Sequence, residues 1–126
     1  MDIALIITGG RSGADLLQSL FDSHPEILQF PGVLQFDDDF IKIFNLKSDK
    51  EISKYFIKIN KQFFDSRINK KERHHKLGTK KNDFYIVDKK KFIKKFIKYY
   101  NKSKKTNYDL LESLHKAYCK NIKKKN

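Results

Sequence analysis

A glycine-rich turn near the N-terminus holds the groups of this chain that are best suited to binding a phosphate. The candidate anion-binding residues of the turn are Gly10, Arg11, Ser12, Gly13, Ala14 and Asp15. Glycine lets the backbone approach an anion without an intervening side chain. Where a helix begins, free backbone N–H groups and the positive end of the helix dipole attract the same anion, and Arg11 adds a full charge.

A predicted strand precedes this turn and a predicted helix follows it. Residues 3–7 are an apolar run that predicts a buried strand. The helix predicted after the turn has apolar residues spaced to share one face, namely Leu16, Leu17, Leu20 and Phe21. The turn is not a Walker motif, because Ala14 and Asp15 stand where Lys and then Ser or Thr would have to follow Gly13.

In roughly its first quarter the chain resembles the sulfotransferase superfamily. Members carry a basic residue, Ser, Gly, two hydroxyl residues and an apolar helix after their first strand, often followed by a leucine-rich segment that ends in His-Pro. The corresponding residues here are Arg11-Ser12-Gly13 and then Leu16-Leu17-Gln18-Ser19-Leu20-Phe21-Asp22-Ser23-His24-Pro25.

The resemblance implies a donor, 3′-phosphoadenylyl sulfate, and sulfuryl transfer to a hydroxyl group such as that of a carbohydrate. Arg11 would lie near the transferring sulfuryl group, while Ser12 and Gly13 would supply turn geometry and backbone donors. The two hydroxyl residues of the family fall on Ala14 and Asp15. Ala14 has no side-chain donor, and Asp15 either repels the phosphate or replaces it by satisfying the N–H groups of the helix.

Other parts of the family pattern have no counterpart in this sequence. Arg67 and Arg73 are the only arginines besides Arg11, and neither follows a buried strand that could lead to a 3′-phosphate site. The general base of the family, commonly a Glu or His, has no clear counterpart, and the acid of the family would fall near residues 31–32, which are Pro and Gly, so the catalytic residues stay unknown. We therefore expect a truncated, split or decayed copy that is inactive as a chain on its own.

The predicted fold class is α/β and mostly helical, a single partial sulfotransferase-like domain over residues 1–126 that lacks the C-terminal half of the family fold. Residues 1–36 would form the strand–loop–helix segment, and residues 37–126 a basic helical segment. A parallel strand buried on both faces needs neighbours. The strand at residues 3–7 would therefore need either a partner chain that completes the sheet or complete coverage by the helices of its own chain.

Four helices are predicted after residue 36 from their caps and their apolar spacing. The predicted caps are Asp37-Asp38-Asp39, Ser48 with Glu51 as a capping box, Asp88, and Thr106-Asn107-Tyr108-Asp109. The apolar residues of the four stripes are, in chain order, Phe40, Ile41, Ile43 and Phe44; Ile52, Tyr55, Phe56, Ile59 and Phe63; Phe92, Ile93, Phe96 and Ile97; and Leu110, Leu111, Leu114, Ala117 and Tyr118. Residues 69–83 are polar, and residues 84–87 are β-prone but short.

Charge divides the chain into two unlike parts. Residues 1–40 contain one basic and seven acidic residues, a net charge of −6. The remaining residues contain 27 basic and eight acidic residues, a net charge of +19, so the whole chain carries +13. The lysine runs of the second part are interleaved with Tyr85, Tyr99, Tyr100 and Tyr118.

Lysines interleaved with aromatic residues can bind single-stranded nucleic acid by charge and stacking. A basic helical module that binds RNA or another polyanion, weakly and without sequence preference, is therefore the alternative function. A partner-dependent remnant with no chemistry of its own is a third possibility. The simplest reading of the lysine runs, which stays open, is a solvated face of each helix.

The remaining candidate chemistry is sparse. Cys119 is the only cysteine, so no intrachain disulfide can form, which fits a reducing cytoplasmic location. His115 and Cys119 are four residues apart and would share a helical face, but a zinc site needs about four ligands and no matching pair is present, so no metal is predicted. The apolar run at residues 3–7 has no basic leader, and no stretch reaches the ~18–20 apolar residues of a membrane span.

Overall fold

The computed structural model describes residues 2–4, 13–21, 24–32, 34, 37–68 and 84–121. The regular structure of this part consists of helices and one short antiparallel ribbon. The helices are α1 (Ala14–Leu20), α2 (Asp38–Ile41), a 3-10 helix (Lys42–Asn45), α3 (Asp49–Ile59), α4 (Lys61–Phe64), α5 (Lys89–Tyr100) and α6 (Asn107–Cys119). Helix α5 packs against both α3 and α6. The longest helices of this part therefore meet around α5.

Three of the predicted caps are confirmed, and they explain where α2, α5 and α6 begin. The Asp37 carboxylate accepts a hydrogen bond from the Phe40 N–H at 3.0 Å, and Asp88 accepts one from the Lys91 N–H at 3.0 Å. Helix α6 begins with a complete capping box between Thr106 and Asp109. These bonds satisfy N–H groups that have no partner inside the helix.

The predicted capping box at the start of α3 is wrong. Ser48 occupies the N-cap position, but its side chain makes no capping hydrogen bond. The helix begins there nevertheless, since Ile52 and Phe56 lie on its buried face and the Ile52 N–H donates to the Ser48 carbonyl at 2.9 Å. Packing of an amphipathic face therefore outweighs the missing side-chain cap.

Aromatic side chains make up much of the core. The Phe92 ring of α5 lies 5.9 Å from Phe56 of α3 and 4.9 Å from Phe64 of α4, measured between ring centroids. Tyr118 of α6 reaches the same cluster, 5.7 Å from Phe64, and its hydroxyl donates a hydrogen bond to the Phe63 carbonyl. Edge-to-face and offset aromatic pairs add to the free energy gained by burying their apolar area.

Phe30 attaches the N-terminal part of the chain to this core. Its side chain is buried, with ring centroids 5.3 Å from Phe63, 5.0 Å from Tyr118 and 4.2 Å from His115. Helix α1 is linked to the same segment because the Gln18 amide donates to the Phe30 carbonyl at 2.7 Å. A single buried ring and a few hydrogen bonds thus join residues 24–32 to the helices.

An antiparallel ribbon precedes α5. Asp65 and Ile86 form an isolated β-bridge, and on either side of it the Ser66 N–H donates to the Tyr85 carbonyl and the Val87 N–H to the Phe64 carbonyl. The two paired segments, residues 64–67 and 84–87, are called the ribbon below. This pairing is the outcome of the β-prone stretch at residues 84–87, and it is too short to count as a sheet.

The α/β prediction is wrong for the described part of the chain, which is mostly helical and contains no strand or sheet. Residues 3–4 have no regular structure and Ala4 is exposed, while residues 5–7 lie outside the described range. An isolated strand cannot satisfy its backbone groups. The helices pack on one another instead, so in this part there is no sheet for a partner chain to complete.

The leucines that share one face of α1 are exposed. The helix begins at Ala14, directly after Gly13, as the sequence predicts. However, Leu16 and Leu20 are 68% and 71% exposed, because the core aromatic residues pack against Phe30 rather than against the α1 leucines.

Among the described helices, none has the length and apolar character needed to cross a bilayer.

Candidate functional site

The predicted anion-binding turn is only partly visible. Gly10, Arg11 and Ser12 lie outside the described residues, whereas Gly13 has a φ of +77°, a left-handed conformation that favours glycine. Ala14 and Asp15 form the first turn of α1, and the Leu17 N–H donates to the Gly13 carbonyl at 3.0 Å. Sulfuryl transfer and binding of 3′-phosphoadenylyl sulfate therefore stay predictions.

A row of lysines forms the solvent face of α5. Lys90, Lys91, Lys94 and Lys98 are all exposed, and they are called the α5 lysine face below. Lys91, Lys94 and Lys98 are separated by three and then four residues, the spacing that places side chains on one side of a helix. Phe92, Phe96 and Tyr100 occupy the opposite side and are buried, so packing of the core fixes the direction in which the lysines point.

Among the described residues, no carboxylate forms an ion pair with the α5 lysine face. Helix α5 contains six lysines and no acidic residue. The ion pairs in which both partners are described are Lys42–Asp39, Arg67–Asp65, Lys105–Asp49 and Lys116–Glu112, and none of them includes a lysine of α5. Within the described ranges, the ammonium groups of the α5 lysine face form no ion pair with a carboxylate, so a bound polyanion could supply the opposite charge.

The start of α5 concentrates positive charge further. Lys89, Lys90 and Lys91 all lie in the first turn, where the helix dipole is already positive. A cation at this end opposes the dipole by roughly 0.3–1 kcal/mol in an exposed position. Asp88 offsets part of this, because its side chain caps the helix. The arrangement costs stability and raises the local positive potential.

Other lysines have structural contacts, which distinguishes them from the α5 lysine face. The Lys95 ammonium donates to the Lys120 carbonyl just after the end of α6. Lys105 reaches across to α3, where it lies 2.9 Å from the Asp49 carboxylate and 5.3 Å from the centre of the Tyr100 ring. These contacts hold the helices together and leave those ammonium groups less available for a ligand.

The tyrosines that the sequence offers as stacking surfaces are mostly part of the core. Tyr100 and Tyr118 are buried, and burial raises the pKa of both phenols. Tyr85 is half-buried, and Tyr99 is half-buried with the Lys120 ammonium 5.6 Å from its ring centre. Sequence spacing alone could not separate core tyrosines from exposed ones, since that depends on which helices pack together.

His115 and Cys119 share a face of α6, as predicted, but both serve packing. The His115 ring contacts Phe30, its Nδ1 lies 2.8 Å from the Leu111 carbonyl oxygen, and burial lowers the pKa of the imidazole. The Cys119 thiol donates to the Gln29 carbonyl at 3.4 Å, and burial raises its pKa to about 11. Among the described residues, no cluster of three or more His, Cys, Asp and Glu side chains could hold a metal.

An open cleft of about 540 Å³ lies at the turn between α5 and α6. Lys102, Lys104 and Lys116 line it, but so do Asp109 and Glu112. The mixture of signs makes this cleft a poorer anion site than the α5 lysine face.

Neither a family model, nor a curated protein, nor a solved structure matches the chain. The resemblance to the sulfotransferase superfamily therefore stays a prediction.

Proposed function

We propose that this protein binds a nucleic-acid strand through the α5 lysine face, without sequence preference. The observation that carries the proposal is the row of exposed lysines on α5 with no carboxylate partner among the described residues. Lysines separated by three and four residues are about 5–6 Å apart at their Cβ atoms. Such a row can contact successive phosphates of one backbone.

The chemistry of lysine supports contact with phosphates rather than with base edges. An ammonium group is a compact point charge that does not impose the planar geometry with which arginine recognises a base. Contacts to phosphate position a protein on a strand and carry no sequence information. We therefore expect binding that depends on charge, tolerates any sequence and weakens steeply as salt is added.

The test compares two triple variants with the same net charge. Lys91, Lys94 and Lys98 are changed to Gln in one, and Lys47, Lys50 and Lys54 are changed to Gln in the other. The second set is equally exposed but lies on and before α3, where Asp49 and Glu51 accompany it. Fluorescence polarisation with a labelled single strand at 50 mM salt measures both dissociation constants.

We expect the α5 variant to bind at least tenfold more weakly than the wild type, and the α3 variant to differ from it by less than threefold. The logic is that three neutralised phosphate contacts release fewer counterions on binding. Equal weakening of both variants would mean that only net charge matters, and the α5 lysine face would then have no special role. Circular dichroism melting curves verify that both variants are folded.

A further inference from the structure

The ribbon beside α5 has an inner and an outer face. Side chains alternate along an extended segment, and the register of the bridge places Arg67 opposite Phe84. The inner face is formed by Phe64, Ser66 and Val87, which are buried, and by Tyr85, which is half-buried. The outer face is formed by Asp65, Arg67, Phe84 and Ile86.

Two large apolar side chains on this outer face remain in solvent. Phe84 is 48% exposed and Ile86 is 57% exposed. The Arg67 guanidinium lies 5.1 Å from the centre of the Phe84 ring, within the range of a cation–π contact. Arg67 itself is held in place by two hydrogen bonds to the Asp65 carboxylate, at 2.8 and 2.7 Å.

The ribbon holds Phe84 in a defined position. Its neighbour Tyr85 is fixed through both backbone groups: the N–H donates to the Ser66 hydroxyl at 3.0 Å, and the carbonyl accepts from the Ser66 N–H at 3.2 Å. The Val87 N–H donates to the Phe64 carbonyl at 2.9 Å. An aromatic ring presented on a fixed backbone loses little conformational freedom when a ligand stacks on it.

The exposed ring lies close to the first turn of α5. Only residues 85–88 separate Phe84 from Lys89, so the two Cα atoms are at most about 18 Å apart even for a fully extended chain. Three lysines without ion pairs in the described structure begin the helix there. A single strand has phosphates along its backbone and bases beside them. One such strand could therefore place a base on the Phe84 ring and its phosphates near the ammonium groups.

We propose that the ligand is a single strand, and that one of its bases stacks on Phe84 while its phosphates lie on the first-turn lysines of α5. This inference rests on the proposed function. A base needs one accessible aromatic face, whereas insertion into a lipid interface needs a whole apolar stripe. Phe84 and Ile86 provide one accessible ring but no apolar stripe, since Asp65 and Arg67 lie beside them. A nucleic-acid strand is therefore favoured over an anionic membrane as the ligand.

The experiment separates stacking from charge. The wild type, Phe84→Leu and Tyr108→Leu are titrated into two labelled strands of equal length, one normal and one abasic, at 50 mM salt. Both strands carry the same phosphates, but only the first has bases. Leu keeps an apolar side chain and removes the ring, and Tyr108 is an equally exposed aromatic residue, 46% exposed, near the opposite end of α5.

We expect Phe84→Leu to bind the normal strand roughly 5- to 150-fold more weakly, as loss of one stacked base predicts. Its affinity for the abasic strand should equal that of the wild type, and Tyr108→Leu should resemble the wild type on both strands. If Phe84→Leu binds both strands as the wild type does, the stacking inference is wrong and the proposed function stands.

Two further outcomes overturn the inference in different ways. If the wild type binds neither strand, the proposed function fails and the stacking site fails with it. Vesicles containing phosphatidylserine provide the third arm. If Phe84→Leu weakens binding to these vesicles and leaves binding to the normal strand unchanged, the ribbon contacts lipid, and the base-stacking role is excluded. Melting curves of the variants confirm that the ribbon substitutions leave the fold intact.

Discussion

Individual side chains show how a chain with so many lysines forms a core. Tyr118 of α6 is fully buried against α4, where its ring packs on Phe64 and its hydroxyl donates a hydrogen bond to the Phe63 carbonyl. His115 fills the space beside Phe30. Tyr118 connects α6 to α4, and His115 connects α6 to Phe30. A substitution of either side chain should therefore change the free energy of unfolding.

Changing Tyr118 to Phe removes one oxygen atom and should lower the free energy of unfolding by about 1–3 kcal/mol, because the buried Phe63 carbonyl loses its partner. Urea denaturation measures the difference. Tyr108→Phe is the matched control, since Tyr108 is exposed, and it should change stability by less than about 0.5 kcal/mol. Equal stabilities of the two variants would show that the hydroxyl of Tyr118 contributes nothing.

His115 should make stability depend on pH. Burial lowers the pKa of its imidazole in the folded state, so the unfolded chain binds the proton at higher pH than the folded chain does. The stability is therefore intact above the unfolded value of about 6.5 and falls as the pH drops below it. Carboxylates with lowered pKa, such as Asp65 and Asp109, lose their contribution only at more acidic pH.

Urea midpoints between pH 5 and pH 7.5 test this expectation. The wild type should lose stability towards pH 5, and His115→Gln, which cannot take up a proton, should lose less. The other histidines are present in both proteins and cancel in the comparison. Parallel pH profiles for the two proteins would mean that His115 is not the group responsible.

At the scale of the elements, the helices after residue 36 could be predicted from sequence because their signals are local. Apolar spacing and the caps at Asp37, Asp88 and Thr106 all lie within a few residues of each helix start. The predicted strand at residues 3–7, of which residues 5–7 lie outside the described range, requires distant neighbours that a sequence cannot place. The ribbon is intermediate, because residues 84–87 are β-prone but their pairing with residues 64–67 is long-range.

Helix α5 should show a conflict between stability and binding. Lys90→Glu places a carboxylate in the first turn and should stabilise the protein by about 1 kcal/mol through the helix dipole. Lys98→Glu makes the same charge change in the last turn, where a cation is favourable, and should destabilise it by about 0.3–1 kcal/mol. Both lie on the α5 lysine face and should weaken binding to a single strand.

Urea denaturation and fluorescence polarisation on the same two proteins check both parts of this expectation. Opposite changes in stability with losses of affinity in both variants support the account. If Lys90→Glu stabilises the protein and leaves binding unchanged, the start of α5 does not contact the ligand.

At the scale of the whole molecule, charge and packing were predictable to different degrees. The sequence reveals the excess of lysine after residue 40, and the structure places a row of those lysines on one face of α5. Which aromatic residue is exposed could not be read from spacing, since Tyr100 and Tyr118 enter the core while Phe84 stays outside. The stretch from Phe84 to Val87 is apolar at all four positions, so its sequence does not indicate which face is exposed.

The predicted anion-binding turn belongs to a different part of the molecule from the α5 lysine face. Its described residues, Gly13 to Asp15, lead into α1, which is joined to the rest through Gln18 and Phe30. Binding of a sulfuryl donor at the turn and binding of a strand by α5 are therefore separate hypotheses. Nucleic-acid binding by α5 requires neither the turn nor the donor of a sulfotransferase.

The salt dependence of binding shows whether the α5 lysine face contacts the phosphates of a strand. The logarithm of the association constant for a single strand is measured against the logarithm of the salt concentration between 50 and 200 mM. The wild type should give a straight line, and changing Lys91, Lys94 and Lys98 to Gln should reduce its slope by about 2, as expected for three lost phosphate contacts on a single strand. The matched variant with Gln at positions 47, 50 and 54 should keep the wild-type slope. Equal slopes for all three proteins, or the same reduction in both variants, would contradict binding through the α5 lysine face.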